Sequence, residues 1–304
     1  FLRALMQNQD KFLKQFKKLA LLDKNIRLVT LEGSRVNKKA KKDKYQDYDI
    51  SFFVPLDKMK DFLGLNEKQN FNECKNLPKC ILELEKSSYF KKILMLQMPE
   101  CMEFYPPDLP QNWISFLVLF ESGVRLDLTI IPLEDLKNYY EFEPLSQALL
   151  DKNGLFTHTI PKAPFSITHL SQRSFDDVCN EFYFLYSCLK KALLRKQFIL
   201  SNHLLNSLRK ALFDLLSFKI GLNFGFEIWL GKEYTNILEF LEEKEVKIIL
   251  KSFNTATLEH IKKARKKLEI LFHKNAKFVA KKSDFKLFPY RKNVKRYCKI
   301  LGKL

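Results

Sequence analysis

"VTLEGSRVNKKAKKDKYQDYDISFFV", residues Val29 to Val54, joins two apolar runs by a polar crossing. The first run, Ile26 to Leu31, turns at Gly33-Ser34; the second follows Asp47-Tyr48-Asp49-Ile50. Side chains on a strand alternate faces, so Asp47 and Asp49 project together from the start of a strand. Two carboxylates that close raise each other's pKa unless something positive sits between them. A solvated strand end explains the pair without a ligand, and a divalent metal ion explains it with one. The flanking residues decide between the two.

Outward from this stretch, strands are expected at 26–31, 48–54, 93–98, 114–120 and 124–131, with helical segments at 57–65, 80–90 and 133–141. Residues 2–23 read as an amphipathic helix with Leu2, Leu5, Phe12, Phe16 and Leu19 near one face, and the Lys/Asn-rich stretch 66–80 as a surface insertion. A linker near 151–170 is marked by Gly154, Pro161 and Pro164. Beyond it the strand signal ends, and 174–195, 199–220, 232–251 and 256–275 carry helical periodicity. The expected fold is α+β: a mixed sheet with flanking helices in residues 1–155, then a helical domain in 156–304.

At 304 residues and 46% hydrophobic composition the chain is globular and long enough for two cores. No apolar run approaches a membrane span, and Phe1-Leu2-Arg3-Ala4 lacks a signal-peptide pattern, so a cytoplasmic protein is expected. Phe1 in place of Met suggests that a few residues precede it. The six cysteines have no zinc-ligand spacing and read as free thiols. The net charge of +18 is mostly a C-terminal property: residues 261–304 hold 16 Lys/Arg against Glu269 and Asp284. Lys-rich helix faces are usually just solvated; the competing reading is an anionic partner.

The chemistry centres on Gly33-Ser34, twelve residues, then Asp47-x-Asp49. Glycine lets the backbone approach a ligand closely, consecutive N–H groups can cradle a phosphate, Ser34 adds a donor, and Arg35 offers a planar fork. A third acid, Asp127, lies inside the apolar strand Val124–Ile130, with Arg125 as its alternative structural partner. Three carboxylates on neighbouring strands beside a phosphate-cradling turn form a two-metal nucleotidyl transfer site. Mg²⁺ suits carboxylate and phosphate oxygens, and two such ions stabilise an in-line displacement.

The stretch "IRLVTLEGSR…YQDYDISFFV" resembles the aminoglycoside 6-adenylyltransferase (streptomycin adenylyltransferase) family of the nucleotidyltransferase superfamily. Further blocks follow in the family's order: "MPECMEFYPP" at 98–107, "RLDLTIIPLEDL" at 125–136, "FDDVCNEFYF" at 175–184 and "GLNFGFEIWLGKEY" at 221–234. The resemblance runs from about 26 to 235, is weak over 236–304, and departs at 57–92 and around 217–232. It implies a nucleotidyltransferase-type sheet, Asp47, Asp49 and Asp127 as ligands of two Mg²⁺ ions, and Gly33, Ser34 and Arg35 at the phosphates of ATP. Lys219 and Lys232, which by residue type alone read as ordinary surface lysines, become candidates for the triphosphate through the matching blocks of the helical half, which would complete the drug pocket. The implied reaction is transfer of AMP to an aminoglycoside hydroxyl, the 6-hydroxyl of streptomycin first, conferring resistance. A monomer with no nucleic-acid or membrane partner is expected.

The acids of "SFDDVCNEFYF" have two readings. Asp177 and Glu181 share a helix face, and Asp176 flanks them. Ser174 as N-cap would place Asp176 and Asp177 in a first turn favoured by the helix dipole. Glu181, among Phe182, Tyr183 and Phe184, suits a cationic sugar and is the candidate general base, if burial raises its pKa. Two alternatives keep the core motif: a nucleotidyltransferase acting on RNA ends or a protein hydroxyl, and a nucleotide-binding module without activity.

Overall fold

The computed structural model describes residues 2–74, 77–105, 109, 110, 112–161, 167 and 169–303, and side chains from residue 11 onward. The chain forms two compact units, residues 1–164 and 165–304. Pro164 of the expected linker, Pro106 and Pro107 of the 98–107 block, and the side chains of Leu2 and Leu5 lie outside the described residues.

The first unit is built on six strands: β1 (Leu28–Glu32), β2 (Tyr48–Val54), β3 (Ile93–Gln97), β4 (Ile114–Phe120), β5 (Arg125–Pro132) and β6 (Ser146–Asp151), in the spatial order β3-β4-β5-β2-β1-β6. Alternation sends neighbouring side chains to opposite faces. Ile50 and Phe52 join Phe16 of α1 (Leu2–Leu22) in one core, while Phe53 and Leu28 join Tyr139 of α4 (Leu136–Phe142) in another. The β2–β5 pair is parallel, and every other pair is antiparallel. A parallel pair needs a crossover; here it runs through α2 (Leu56–Phe62), α3 (Lys79–Glu85), β3 and β4. This topology brings the end of β1 and the starts of β2 and β5 to the same edge of the sheet. β6 was not expected: its residues fall before the predicted linker, yet they pair with β1 along its whole length.

The second unit is helical: α5 (Gln172–Leu194), α6 (Phe198–Phe224), α7 (Glu243–Lys251), α8 (Leu258–Ser283) and α9 (Tyr290–Leu301). Its core includes Phe182 stacked on Phe272, with centroids 3.7 Å apart. The single helix expected at 232–251 is two 3-10 turns, Lys232–Tyr234 and Ile237–Phe240, before α7. Gly231, Glu233 and Tyr234 take positive φ, which an α-helix does not accommodate. None of the six cysteines is in a disulfide. Among the described residues no helix is long and apolar enough to cross a membrane.

Candidate active site

β1 ends at Glu32, and the chain turns through a short 3-10 segment, Gly33–Arg35. Gly33 has φ +64°, and a Cβ there would stand 2.6 Å from Oδ2 of Asp49. Only glycine fits both the backbone conformation and the space. Arg35 donates from Nε to the Asp47 carbonyl (2.6 Å) and from Nη2 to the Gln46 carbonyl (2.5 Å), and its guanidinium lies 3.6 Å over the Tyr48 ring. This binds the turn to the polar crossing that precedes β2, and two donors of the expected phosphate fork are engaged in doing so. Lys42 adds a second tie, donating to the carbonyls of Ser34 (2.8 Å) and Arg35 (2.6 Å). Ser34 Oγ accepts from Gln46 Nε2 (3.0 Å), an arrangement that leaves its O–H proton for another acceptor.

Asp49 stands directly opposite Asp127 across the parallel β2–β5 pair. Asp47 lies two residues earlier, just outside β2. Burial first, then the charges of Asp127, Glu32 and Asp47, push the Asp49 carboxyl up to about 7. Burial also raises Asp47, against the pull of Arg125. Asp127 is not enclosed in the apolar core as its sequence setting suggests. It shares the half-open face of β5 with Arg125, opposite the buried Leu126 and Leu128. Arg125 grips it bidentately, Nε to Oδ1 at 2.9 Å and Nη2 to Oδ2 at 2.7 Å, and reaches Asp47 at 3.4 Å. The alternative partner read from the sequence is therefore the one observed.

Among the described residues no three His, Cys, Asp or Glu side chains already enclose a metal-sized point. The donor set nevertheless fits a hard cation. Three carboxylates gather at one sheet edge, one of them is pushed towards its neutral form by burial and then by its acidic neighbours, and Arg125 neutralises two of them where a metal would.

Sequence reasoning missed Glu32. It is 9% exposed and accepts from Thr30 Oγ1 (2.9 Å) and Tyr139 Oη (2.7 Å). Burial raises its pKa, and its charge is one of those acting on Asp49. The available signal was an acid closing an apolar strand immediately before Gly-Ser.

The sequence matches the streptomycin adenylyltransferase family over residues 6–69 and 81–301. The chain belongs to that family. Among its relatives are three aminoglycoside 6-adenylyltransferases. The one from Bacillus subtilis (strain 168) is 31% identical, covering 96% of this chain and 97% of the relative. Those of Staphylococcus aureus and Campylobacter jejuni are each 32% identical, covering 82% and 91% of this chain and 82% and 90% of their own lengths. A solved structure, an aminoglycoside 6-adenyltransferase from Bacillus subtilis, is 29% identical, with a TM-score of 0.43 and coverage of 94% of this chain and 95% of that one. The streptomycin adenylyltransferase match runs to residue 301, beyond the last of the blocks read from the sequence. The departure expected at 57–92 narrows to residues 70–80.

In the second unit the family's acidic block lies on α5. Ser171, not Ser174, is the N-cap; its side chain accepts from the Ser174 N–H, and Ser174 closes a capping box. Asp176 and Asp177 therefore fall beyond the first turn, and the capping account does not cover them. Asp176 accepts from Gln172 Nε2 (2.9 Å), and Asp177 and Glu181 are exposed. The burial on which the base role of Glu181 was conditioned is absent. Lys219 is buried, with Nζ 2.8 and 2.7 Å from the two carboxylate oxygens of Glu245, so its ammonium is held within the helical core and not offered to a phosphate. Lys232 is exposed at the start of its 3-10 turn.

Proposed function

We propose that this protein transfers the AMP moiety of ATP to a hydroxyl of an aminoglycoside, the 6-hydroxyl of streptomycin in the first instance, and releases pyrophosphate. The observation that carries the reading is the register placing Asp49 opposite Asp127, with Gly33 against Asp49, in a member of the streptomycin adenylyltransferase family.

In this reading the Gly33–Arg35 turn receives the ATP phosphates. The backbone is close enough only because residue 33 has no side chain. Ser34 donates its free proton to a phosphate oxygen, and Arg35 and Lys42 hold the turn in shape. Exposed Lys232 remains a candidate for the triphosphate. Asp47, Asp49 and Asp127 would hold Mg²⁺, two ions in our proposal, which supply charge neutralisation for the transferring phosphoryl group. Loading requires the Arg125 guanidinium to leave Asp127. Asp177 and Glu181, with Asp176 beside them, present carboxylates to the amino or guanidino cations of the drug. A drug lying over Glu181 would withdraw it from water and fit it to take the proton of the attacking hydroxyl. Residues 1–155 would thus serve metal and nucleotide, and 156–304 the acceptor.

The test is a panel of aminoglycosides incubated with Mg²⁺ and ATP radiolabelled at the α-phosphate, with the modified hydroxyl located by NMR. Label on streptomycin at the 6-hydroxyl is expected. Label on RNA or protein, with none on any aminoglycoside, would overturn the proposal.

A further inference from the structure

One face of the sheet in the first unit is apolar at one end and acidic at the other. Leu28 pairs with Phe53 and Thr30 with Ser51, so strand alternation puts Leu28, Thr30 and Glu32 of β1 on the same side as Phe53, Ser51 and Asp49 of β2. Leu28 and Phe53 lie in the core with Tyr139 of α4. At the other end Asp49 is level with Asp127, and the same register brings Glu32 level with Asp49. Glu32 is thus a fourth acid beside Asp47, Asp49 and Asp127.

Tyr139 spans the two ends. Its ring packs on Phe53 with centroids 4.9 Å apart, and its hydroxyl donates to Glu32 Oε1 at 2.7 Å. Thr30 Oγ1 donates to the same oxygen at 2.9 Å. α4 follows β5 through a short 3-10 turn, Leu133–Asp135. Tyr139 therefore ties the segment after the Asp127 strand to the residue just before Gly33. These donors hold the carboxylate but supply no positive charge, and a carboxylate that is only 9% exposed is costly without one. Arg125 pairs with Asp47 and Asp127. Among the described residues Glu32 and Asp49 are in no ion pair. The half of the acid row nearest Gly33 is the half left without a cation.

We propose that Glu32 is a positioning residue of the metal site: held by Thr30 and Tyr139 beside Asp49, it supplies fixed negative charge that draws a divalent cation to the uncompensated half of the row. The inference rests on reading Asp47, Asp49 and Asp127 as the metal ligands. Groups that support a ligand from behind change metal affinity by about 10–100-fold when altered. Glu32→Gln keeps an oxygen for both donors and removes the charge. Tyr139→Phe keeps the charge and removes one donor.

The probe is Mn²⁺, titrated into the full chain without nucleotide and read by electron paramagnetic resonance. Glu32→Gln is expected to bind it at least about tenfold more weakly than wild type, and Tyr139→Phe to share part of that loss. In EDTA at neutral pH the Tm of Glu32→Gln should be no lower than that of wild type, because a buried charge among like charges is gone. Its rise in Tm on adding Mn²⁺ should be the smaller. A residue that merely braces the fold would instead lower Tm equally with and without the ion, and that result would overturn the proposal. Wild-type Mn²⁺ affinity in either variant would overturn it too. Asp49→Asn is the reference. If it binds Mn²⁺ like wild type, the metal reading fails and the proposal with it; if it loses binding while Glu32→Gln keeps it, the proposal alone fails.

Discussion

The missing Cβ of Gly33 leaves the space that Oδ2 of Asp49 occupies, only 2.6 Å from where that atom would be. The phosphate turn and the central carboxylate are thus mutually fitted, and a change in one displaces the other. Gly33→Ala meets both a positive φ and this contact. A displacement near 1 Å at a reacting centre costs about 10²-fold in rate. The variant is expected to fold, by circular dichroism, and to lose at least about that factor in kcat/KM. A wild-type rate would show that the turn does not set the position of Asp49.

The pH dependence of stability isolates Asp49. Its carboxyl titrates at about 7 in the folded chain against an ordinary 3.8, so between those values the folded state binds the extra proton. Stability from this group is present below the lower value and declines as pH rises towards 7. The effect is on the order of 4 kcal/mol. In EDTA, Asp49→Asn should gain Tm relative to wild type as pH rises through this window. Parallel curves for the two proteins would show that burial and the neighbouring acids do not raise the Asp49 carboxyl. The same variant, and Asp47→Asn, should lack turnover with Mg²⁺.

Arg125 competes for the carboxylates a metal would use. Arg125→Gln is expected to bind Mn²⁺ in the absence of nucleotide roughly tenfold more tightly, consistent with loss of one charge-assisted pair, as read by electron paramagnetic resonance. Unchanged or weaker Mn²⁺ binding would mean that the guanidinium does not oppose the ion.

Lys219 separates a structural from a phosphate-binding role. Lys219→Met leaves Glu245 buried without its partner and should destabilise the fold by about 3–5 kcal/mol, with the KM for ATP unchanged in the protein that remains folded. A raised KM at unchanged Tm would return Lys219 to the triphosphate.

The acids on α5 should act on the drug alone. Asp177→Asn is expected to raise the KM for the aminoglycoside roughly tenfold, the value of one charge-assisted hydrogen bond. Glu181→Gln should in addition lower kcat, and ATP binding should be untouched in both. Wild-type kinetics in Glu181→Gln would exclude it from the acceptor site.

The elements richest in apolar residues were the ones legible in the sequence. β2 reads as a strand because six of its seven residues are buried and apolar or small, and the Gly33-Ser34 turn is visible as a break in apolar character. β6 was missed because "SQALLD" is an edge strand with exposed positions, and its identity depends on pairing with β1. α9, "YRKNVKRYCKIL", buries no residue fully and looks like solvated charge. At the site, residue types were readable and geometry was not. Nothing in the sequence sets Asp49 opposite Asp127, and the ion pair that occupies Lys219 depends on Glu245, 26 residues away. The Ser171 cap was misplaced by three residues because Ser171 and Ser174 both fit a helix start, and the choice rests on which hydroxyl meets which N–H.

The crossover between β2 and β5 separates two kinds of change. It leaves β2 at Val54, the far end of the strand from Asp49, and the only internal stretch where the family match lapses, residues 70–80, lies within it. A seven-residue strand spans about 20 Å. Length can therefore vary in the crossover while the β2–β5 register, and with it the placement of the carboxylates, stays the same. That makes the connection between α2 and α3 the natural place to graft an epitope or a fluorescent reporter into a working enzyme.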